Sequence, residues 1–154
     1  MPRDLPVTEI MSAPAVTLSP AATIEEAIAV LAEHGFSGAP VVDEDGRLVG
    51  LLDDADLIVS EARLHGPTVI EFLGAYLPLP GEHRRWEREL RQSLAQTVEE
   101  VMRRDPPWLD TSATLEDVAT LIVEQDVSRV PIVDEDRKVV GVVSRGDIVR
   151  ALAR

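Results

Sequence analysis

The segment GVVSRGDIV, Gly141 to Val149, brings together residue types that could hold a phosphorylated sugar. An apolar, β-branched run ends at Ser144 and a helical pattern starts there. The backbone N–H groups of that first helical turn have no partner within the helix, and the positive end of the helix dipole lies beside them. Ser144 could add a hydroxyl donor and Arg145 a charge-assisted donor to the same phosphate. Asp147 follows one turn later, where its carboxylate could accept hydrogen bonds from the two hydroxyls of a ribose. The same tetrad also satisfies a plain capping box, in which Ser caps the helix and the acidic residue at N3 reaches back. One helix terminus can do both, so the tetrad alone leaves the choice open.

The elements that would position these residues follow from an internal repeat. A shift of 91 positions places VTEIM (Val7 to Met11) on VEEVM (Val98 to Met102), and TIEEA (Thr23 to Ala27) on TLEDV (Thr114 to Val118). It also places APVVDEDGRLVGLL (Ala39 to Leu52) on VPIVDEDRKVVGVV (Val130 to Val143), and DDADLI on SRGDIV. Each copy reads as a short strand, a helix, two strands and a second helix. In the first helix Ile24, Ala27, Ile28 and Leu31 share one face, repeated by Leu115, Val118, Ala119 and Ile122, and Thr23 with Glu26 resembles a capping box. Two β-branched runs around DEDG, and again around DEDR, read as β-hairpins, with Arg137 where the first copy has a turn glycine. The expected fold class is therefore α/β (α+β), with repeat 1 over residues 1–60, an insert over 61–97 and repeat 2 over 98–154. The insert is punctuated by Pro67, Pro78, Pro80 and Gly81, with an apolar stretch TVIEFLGAY and a charged one. In the latter Trp86, Leu90 and Leu94 share a helical face, which predicts a surface helix.

Composition narrows the function classes. The 154 residues, 45% hydrophobic and 28% charged, suit an ordinary globular chain. Fifteen Lys and Arg against 28 Asp and Glu leave a net charge of −13, which would repel nucleic-acid backbones and anionic membrane surfaces. Neither class of partner is expected. No apolar run approaches the roughly 18 residues of a spanning helix, and MPRDLPVTEIM lacks the apolar stretch of a secretory signal, so a cytoplasmic location is expected. There is no cysteine. His34, His65 and His83 show no ligand spacing, and the two DED turns lack the alternating ligands of a calcium loop, so no metal site is expected. No nucleophile-and-base pair, Walker loop or Rossmann fingerprint is present, and the chain reads as a non-enzyme.

The opening V-x-x-(I/V)-M, the helix start Thr-(Ile/Leu)-Glu, the apolar-Pro-apolar-Val-Asp strand and the closing G-apolar-apolar-S-x-x-D turn resemble the CBS-domain family. Four motifs in order, twice over, cover most of the chain. The resemblance implies β-α-β-β-α units packed as a pseudo-twofold pair, a Bateman module, with a helical insert between them. It implies a regulatory ligand in the cleft between the repeats: AMP, ADP or ATP ahead of S-adenosylmethionine or NAD. In similar proteins the S/T-x-x-D turn takes phosphate and ribose, here Ser144, Arg145 and Asp147, while the partner repeat holds the adenine. That partner surface would be Phe36, Ser37, Gly38, Ala39 and Pro40, together with Ala15, Val16 and Thr17. Phe36 would stack on the base, unless it is simply a core residue.

The mirror-image site looks weaker. Asp53 and Asp54 replace Ser144 and Arg145, and two carboxylates beside a phosphate are repulsive. Asp56 keeps the ribose position, with Arg129, Val130 and Pro131 opposite and Arg129 as a partial offset. A homodimer and an effector protein are the expected partners. The competing reading is a ligand-independent dimerisation or partner-docking module.

Overall fold

The structure is a computed structural model that describes residues 2–54, 56, 57 and 94–153. The apolar stretch of the insert and its helix positions Trp86 and Leu90 lie outside the described residues, as do His65 and His83. Leu94 is described and packs against the core of the first repeat.

The first repeat contains α1 (Val7–Ile10), α2 (Ile24–His34), β1 (Ala39–Val42) and β2 (Leu48–Leu52). The second contains α3 (Val98–Val101), β3 (Arg103–Arg104), β4 (Leu109–Asp110), α4 (Leu115–Gln125), β5 (Arg129–Val133), β6 (Val139–Ser144) and α5 (Arg145–Leu152). The apolar spacing of α2 and α4 buries Ile24, Ala27 and Leu31 in one and Leu115, Val118 and Ile122 in the other. Thr23 caps the first by accepting from the Glu26 N–H, and Thr114 with Asp117 forms a full capping box on the second. Both DED turns are hairpin tips: Asp43 Oδ1 accepts from the N–H groups of Asp45 and Arg47, and Asp134 Oδ1 from those of Asp136 and Lys138. Gly46 and Arg137 occupy the same left-handed conformation, at φ 83° and 65°. The arginine accepts a strained backbone there, and its guanidinium lies 5.2 Å from the Trp108 ring centre.

The opening short strand is reduced in both copies. In the second it is the two residues of β4, parallel to β5; in the first only Leu18 bridges Val41, and Ala15 to Thr17 form no strand. The short helices α1 and α3 do not follow from the sequence pattern.

Repeats in sequence and cores in space do not coincide. Val7 and Ile10 of α1 belong to the core formed by Leu115, Val118, Val130, Ile132 and Val143 of the second repeat. Val98 and Met102 belong to the core of Leu18, Ile24, Ala27, Val41 and Leu52 of the first. Backbone bonds fix the exchange: Val7 N–H donates to the Ala113 carbonyl at 2.9 Å, and Val98 N–H to the Ala22 carbonyl at 2.8 Å. A methionine locks each segment over a glycine of the opposite sheet. A Cβ at Gly141 would lie 2.4 Å from Met11 Sδ, and one at Gly50 2.3 Å from Met102 Sδ. The sheets are β1-β2-β3 and β4-β5-β6, so β3 of the second repeat completes the sheet of the first. The two hairpin tips also meet, Arg47 bridging Lys138.

A polar clasp holds the halves together at the helix-to-strand turns. Arg129, buried at the start of β5, donates from Nη1 to the Gly38 carbonyl at 2.8 Å and from Nη2 to Ser37 Oγ at 2.6 Å. Its Nε is 3.8 Å from Asp53 Oδ1, and Asp53 Oδ2 accepts the Ser128 hydroxyl at 2.5 Å. Burial on its own raises the Asp53 pKa, but hydrogen bonds from Ser128 and Asp54 and the Arg129 charge outweigh it and hold the carboxyl below its ordinary value.

Two outcomes follow. Val7→Ala, made in the sequence of the first repeat, should cost about 2 kcal/mol, with amide protection in β5 and β6 falling more than in β1 and β2 by hydrogen exchange. Asp53→Asn leaves the buried Arg129 uncompensated and should cost on the order of 3 kcal/mol at pH 7. Because the folded pKa of Asp53 is depressed, its contribution is full above the ordinary value of 3.8 and vanishes as pH falls through the folded value. Asp56, raised first by burial and then by the Asp53 charge, works in the opposite direction and softens the acid limb. Urea titrations at pH 7 and at pH 3 should therefore show the gap between wild type and Asp53→Asn closing in acid.

Candidate functional site

Between the repeats lies a solvent-open cleft with a cavity volume of about 100 Å³, below the roughly 300–1,000 Å³ usual for enclosed small-molecule sites. Its walls come from both halves. The segment after α1 contributes Ser12, Pro14, Ala15 and Val16, and the turn between α2 and β1 contributes Phe36, Gly38 and Pro40. From the second repeat come Arg129, Val142 and Ser144 on β5 and β6, and Asp147 and Arg150 on α5.

Gly35 ends α2 in the left-handed conformation, at φ 68°, and turns the chain so that Phe36 projects at the surface. Phe36 is 42% exposed and stacks on His34 with ring centres 5.9 Å apart. It is therefore not a core residue. At Gly38 the backbone runs so close to β2 that a Cβ would lie 2.5 Å from the Leu52 carbonyl oxygen and 2.9 Å from Asp53 Cα. Only glycine fits there, and its carbonyl receives Arg129.

At the opposite side β6 ends on Ser144, which caps α5. The capping box is fully formed: Asp147 Oδ2 accepts from the Ser144 N–H at 2.8 Å and from its hydroxyl at 3.1 Å, and Ser144 Oγ accepts the Asp147 N–H at 3.3 Å. Asp147 is only 8% exposed. Its other oxygen, Oδ1, pairs with Arg150, whose side chain is 72% exposed.

The cleft thus gathers Ala15, Val16, Phe36, Gly38, Pro40, Ser144 and Asp147 from the expected set. Four others stand outside its lining. Ala39 is buried in the core of the first repeat, Thr17 is half-buried beyond the lining, and Ser37 supports Arg129 from behind. Arg145 is exposed and donates to the Val127 carbonyl at 3.3 Å, which places its guanidinium at the junction of α4 and β5.

Two arginines extend the cleft beyond the expected set. Arg129, expected to offset the Asp53 charge at the mirror site, does lie beside Asp53 and also lines this cleft, because its guanidinium crosses to Gly38. Arg150 was missed, although its spacing of three residues from Asp147 on α5 was a visible signal for a pair. At the mirror position Asp53 takes the place of Ser144, and Asp56 Oδ2 accepts the Asp53 N–H at 2.8 Å, so the same helix-start geometry is present. Asp53 is not a free charge facing the cleft; Ser128 and Arg129 hold it. Val130 and Pro131 are buried in β5.

Comparison with known proteins agrees with this architecture. A family model for the CBS domain matches residues 7–62 and 98–154. The chain is 33% identical over 138 residues to the chloroplastic CBS domain-containing protein CBSX1 of Arabidopsis thaliana, covering 87% of this chain and 57% of that protein, so it spans little more than half of that relative. The crystal structure of CBSX2 in complex with AMP superposes with a TM-score of 0.70 at 25% identity, covering 97% of this chain and 96% of that one. The CBS domain pair of protein MJ0100, in complex with 5′-methylthioadenosine and S-adenosyl-L-methionine, gives 0.70 at 27% identity and 97% coverage of both chains. With two matched units, the exchanged cores and a cleft between them, the chain belongs to the CBS-domain family and is a tandem CBS pair.

Proposed function

We propose that this chain is a regulatory module that binds one adenine nucleotide in the cleft between its repeats. The observation that carries the reading is the meeting, in one open cleft, of an exposed aromatic ring from the first repeat with a helix N-terminus and a buried carboxylate from the second. Phe36 offers a face for the base. Asp147 accepts the ribose hydroxyls, and the N-terminal turn of α5 with Ser144 receives the phosphate. AMP, ADP and ATP fit this set best. The bound AMP of CBSX2 supports the reading, and the thioadenosine ligands of the MJ0100 pair keep S-adenosylmethionine in the comparison, with NAD as a further alternative. No catalytic group enters the proposal. Because the ligand touches both repeats, its binding couples their relative packing to nucleotide level, and an effector protein reads that state.

The mirror position carries Val127 for Phe36, Arg129 for Gly38, and Asp53 for Ser144. With the Arg129 side chain lying across the pseudo-twofold axis, one ligand per chain is the expected stoichiometry. A second reading, a homodimer that forms without ligand, is favoured by Val149 and Leu152, both exposed on α5. Light scattering with and without nucleotide separates the two, since an unchanged dimer that binds no nucleotide would leave only the second.

Calorimetry should give one AMP per chain. At 100 times Kd, binding adds about 2.7 kcal/mol, a rise in Tm of roughly 5–10 °C. Phe36→Ala should weaken AMP about 10-fold by losing base stacking while hardly moving the unliganded Tm, because the ring is exposed. Asp147→Ala removes the cap as well, so its readout is the ligand-induced shift, which should disappear. Absence of heat and of any shift with all of these adenine compounds would refute the proposal.

A further inference from the structure

Arg150 occupies an unusual place. It stands near the end of α5, yet its side chain lies back along the helix toward the first turn. A Cβ at Gly146 would meet Arg150 Nη1 at 3.3 Å and Ser144 Oγ at 3.7 Å. The guanidinium therefore rests beside the helix N-terminus, with Nη2 on Asp147 Oδ1. Glycine at 146 leaves the room for this arrangement.

The pair has an imbalance. Asp147 is nearly buried and fixed by three contacts with Ser144, whereas the Arg150 side chain is 72% exposed and can move at little cost. The oxygen that Arg150 occupies is the one a ribose must use, since Oδ2 is committed to the cap. Among the described residues the charged groups lining the cleft are Arg129, Asp147 and Arg150, of which Arg129 is tied to Asp53 behind the lining and Arg150 to Asp147.

We infer that Arg150 is the specificity-determining residue of the cleft: it guards Asp147 Oδ1 in the empty site, yields that oxygen to the ribose, and transfers its guanidinium to the ligand phosphate. This deepens the nucleotide reading above and rests on it. An anionic ligand replaces the carboxylate partner that Arg150 gives up. An uncharged nucleoside does not, so it must break the Asp147–Arg150 pair without compensation. A sulfonium ligand cannot replace the carboxylate that Arg150 gives up, and adds a positive charge beside it. The cleft accordingly selects a phosphorylated adenosine over adenosine and over S-adenosylmethionine, and the selection resides in one exchangeable ion pair rather than in the fit of the base.

The experiment is isothermal calorimetry of AMP, adenosine and S-adenosylmethionine with the full chain as wild type, Arg150→Ala and Arg150→Lys. Unliganded melting curves check that each variant folds. The expected result is a wild-type preference for AMP over adenosine that falls by about 10-fold or more in Arg150→Ala, consistent with loss of one charge-assisted hydrogen bond. Adenosine should bind Arg150→Ala as well as the wild type or better, because Asp147 is released. Arg150→Lys should retain part of the preference, a point charge replacing the fork. Equal weakening of AMP and adenosine would make Arg150 a merely structural support and overturn the inference, as would no change in either. If AMP and adenosine both bind wild type with equal affinity, the selection fails while the cleft reading stands; if neither binds, the cleft reading itself fails and this one with it.

Discussion

Neither repeat can close its own core. Each depends on an opening segment donated by the other, Val7 and Ile10 in one direction and Val98 and Met102 in the opposite one. Apolar burial is the dominant favourable term in folding, so completing both cores by exchange makes the two repeats one cooperative unit rather than two beads. It also builds the cleft. Having left the second repeat's core at Met11, the chain must cross to reach Leu18 in the first. Ser12 exchanges both backbone bonds with Val142 at 2.9 and 3.1 Å, and the residues that follow have nowhere to run but along the boundary. Pro14, Ala15 and Val16 line the cleft for that topological reason.

The same symmetry that builds the cleft is broken where two equivalent residues meet. Gly38 and Arg129 are equivalent under the repeat, and they meet. A side chain at both positions would not fit, given the 2.5 Å approach of a Cβ at Gly38 to the Leu52 carbonyl. A glycine at both would leave Asp53 without its cation. The observed pairing satisfies both constraints and commits the molecule to one orientation. Ion pairs of this depth contribute little net stability because of the desolvation they require. Here the pair specifies which half becomes which wall of the cleft, since the alternative arrangement would bury a charge alone.

Much of this was legible in the sequence, and the missing parts have common physical causes. Helices α2 and α4 and both hairpins were readable because their apolar residues recur at 3.6 and 2 over several positions, with caps and turns at the ends. The helices α1 and α3 have four residues each, fewer than any periodic signal needs, and owe their form to packing in a foreign core. Arg137 could be seen to replace Gly46, but only the backbone shows that it keeps the left-handed angle. Side-chain direction was the main loss. Sequence position sets Arg129 beside Asp53 and Arg145 beside the start of α5, but does not show that the first also reaches Gly38 or that the second turns to the Val127 carbonyl. A long flexible side chain on a short turn can go either way, and its destination depends on which carbonyl or carboxylate lies within reach.

The two meanings of Ser144-x-x-Asp147, helix cap and ribose acceptor, are compatible because a carboxylate has two oxygens. The cap uses Oδ2 alone, taking both the N–H and the hydroxyl of Ser144. That bond holds the side chain in one rotamer and prevents it from collapsing into the helix. Oδ1 is thereby left to other partners, and among the described residues the exposed Arg150 engages it. A free aspartate on a loop would have to be ordered at the moment of binding, with loss of side-chain entropy. Here the capping box has ordered it during folding, so local helix chemistry preorganises the acceptor that the ligand would need.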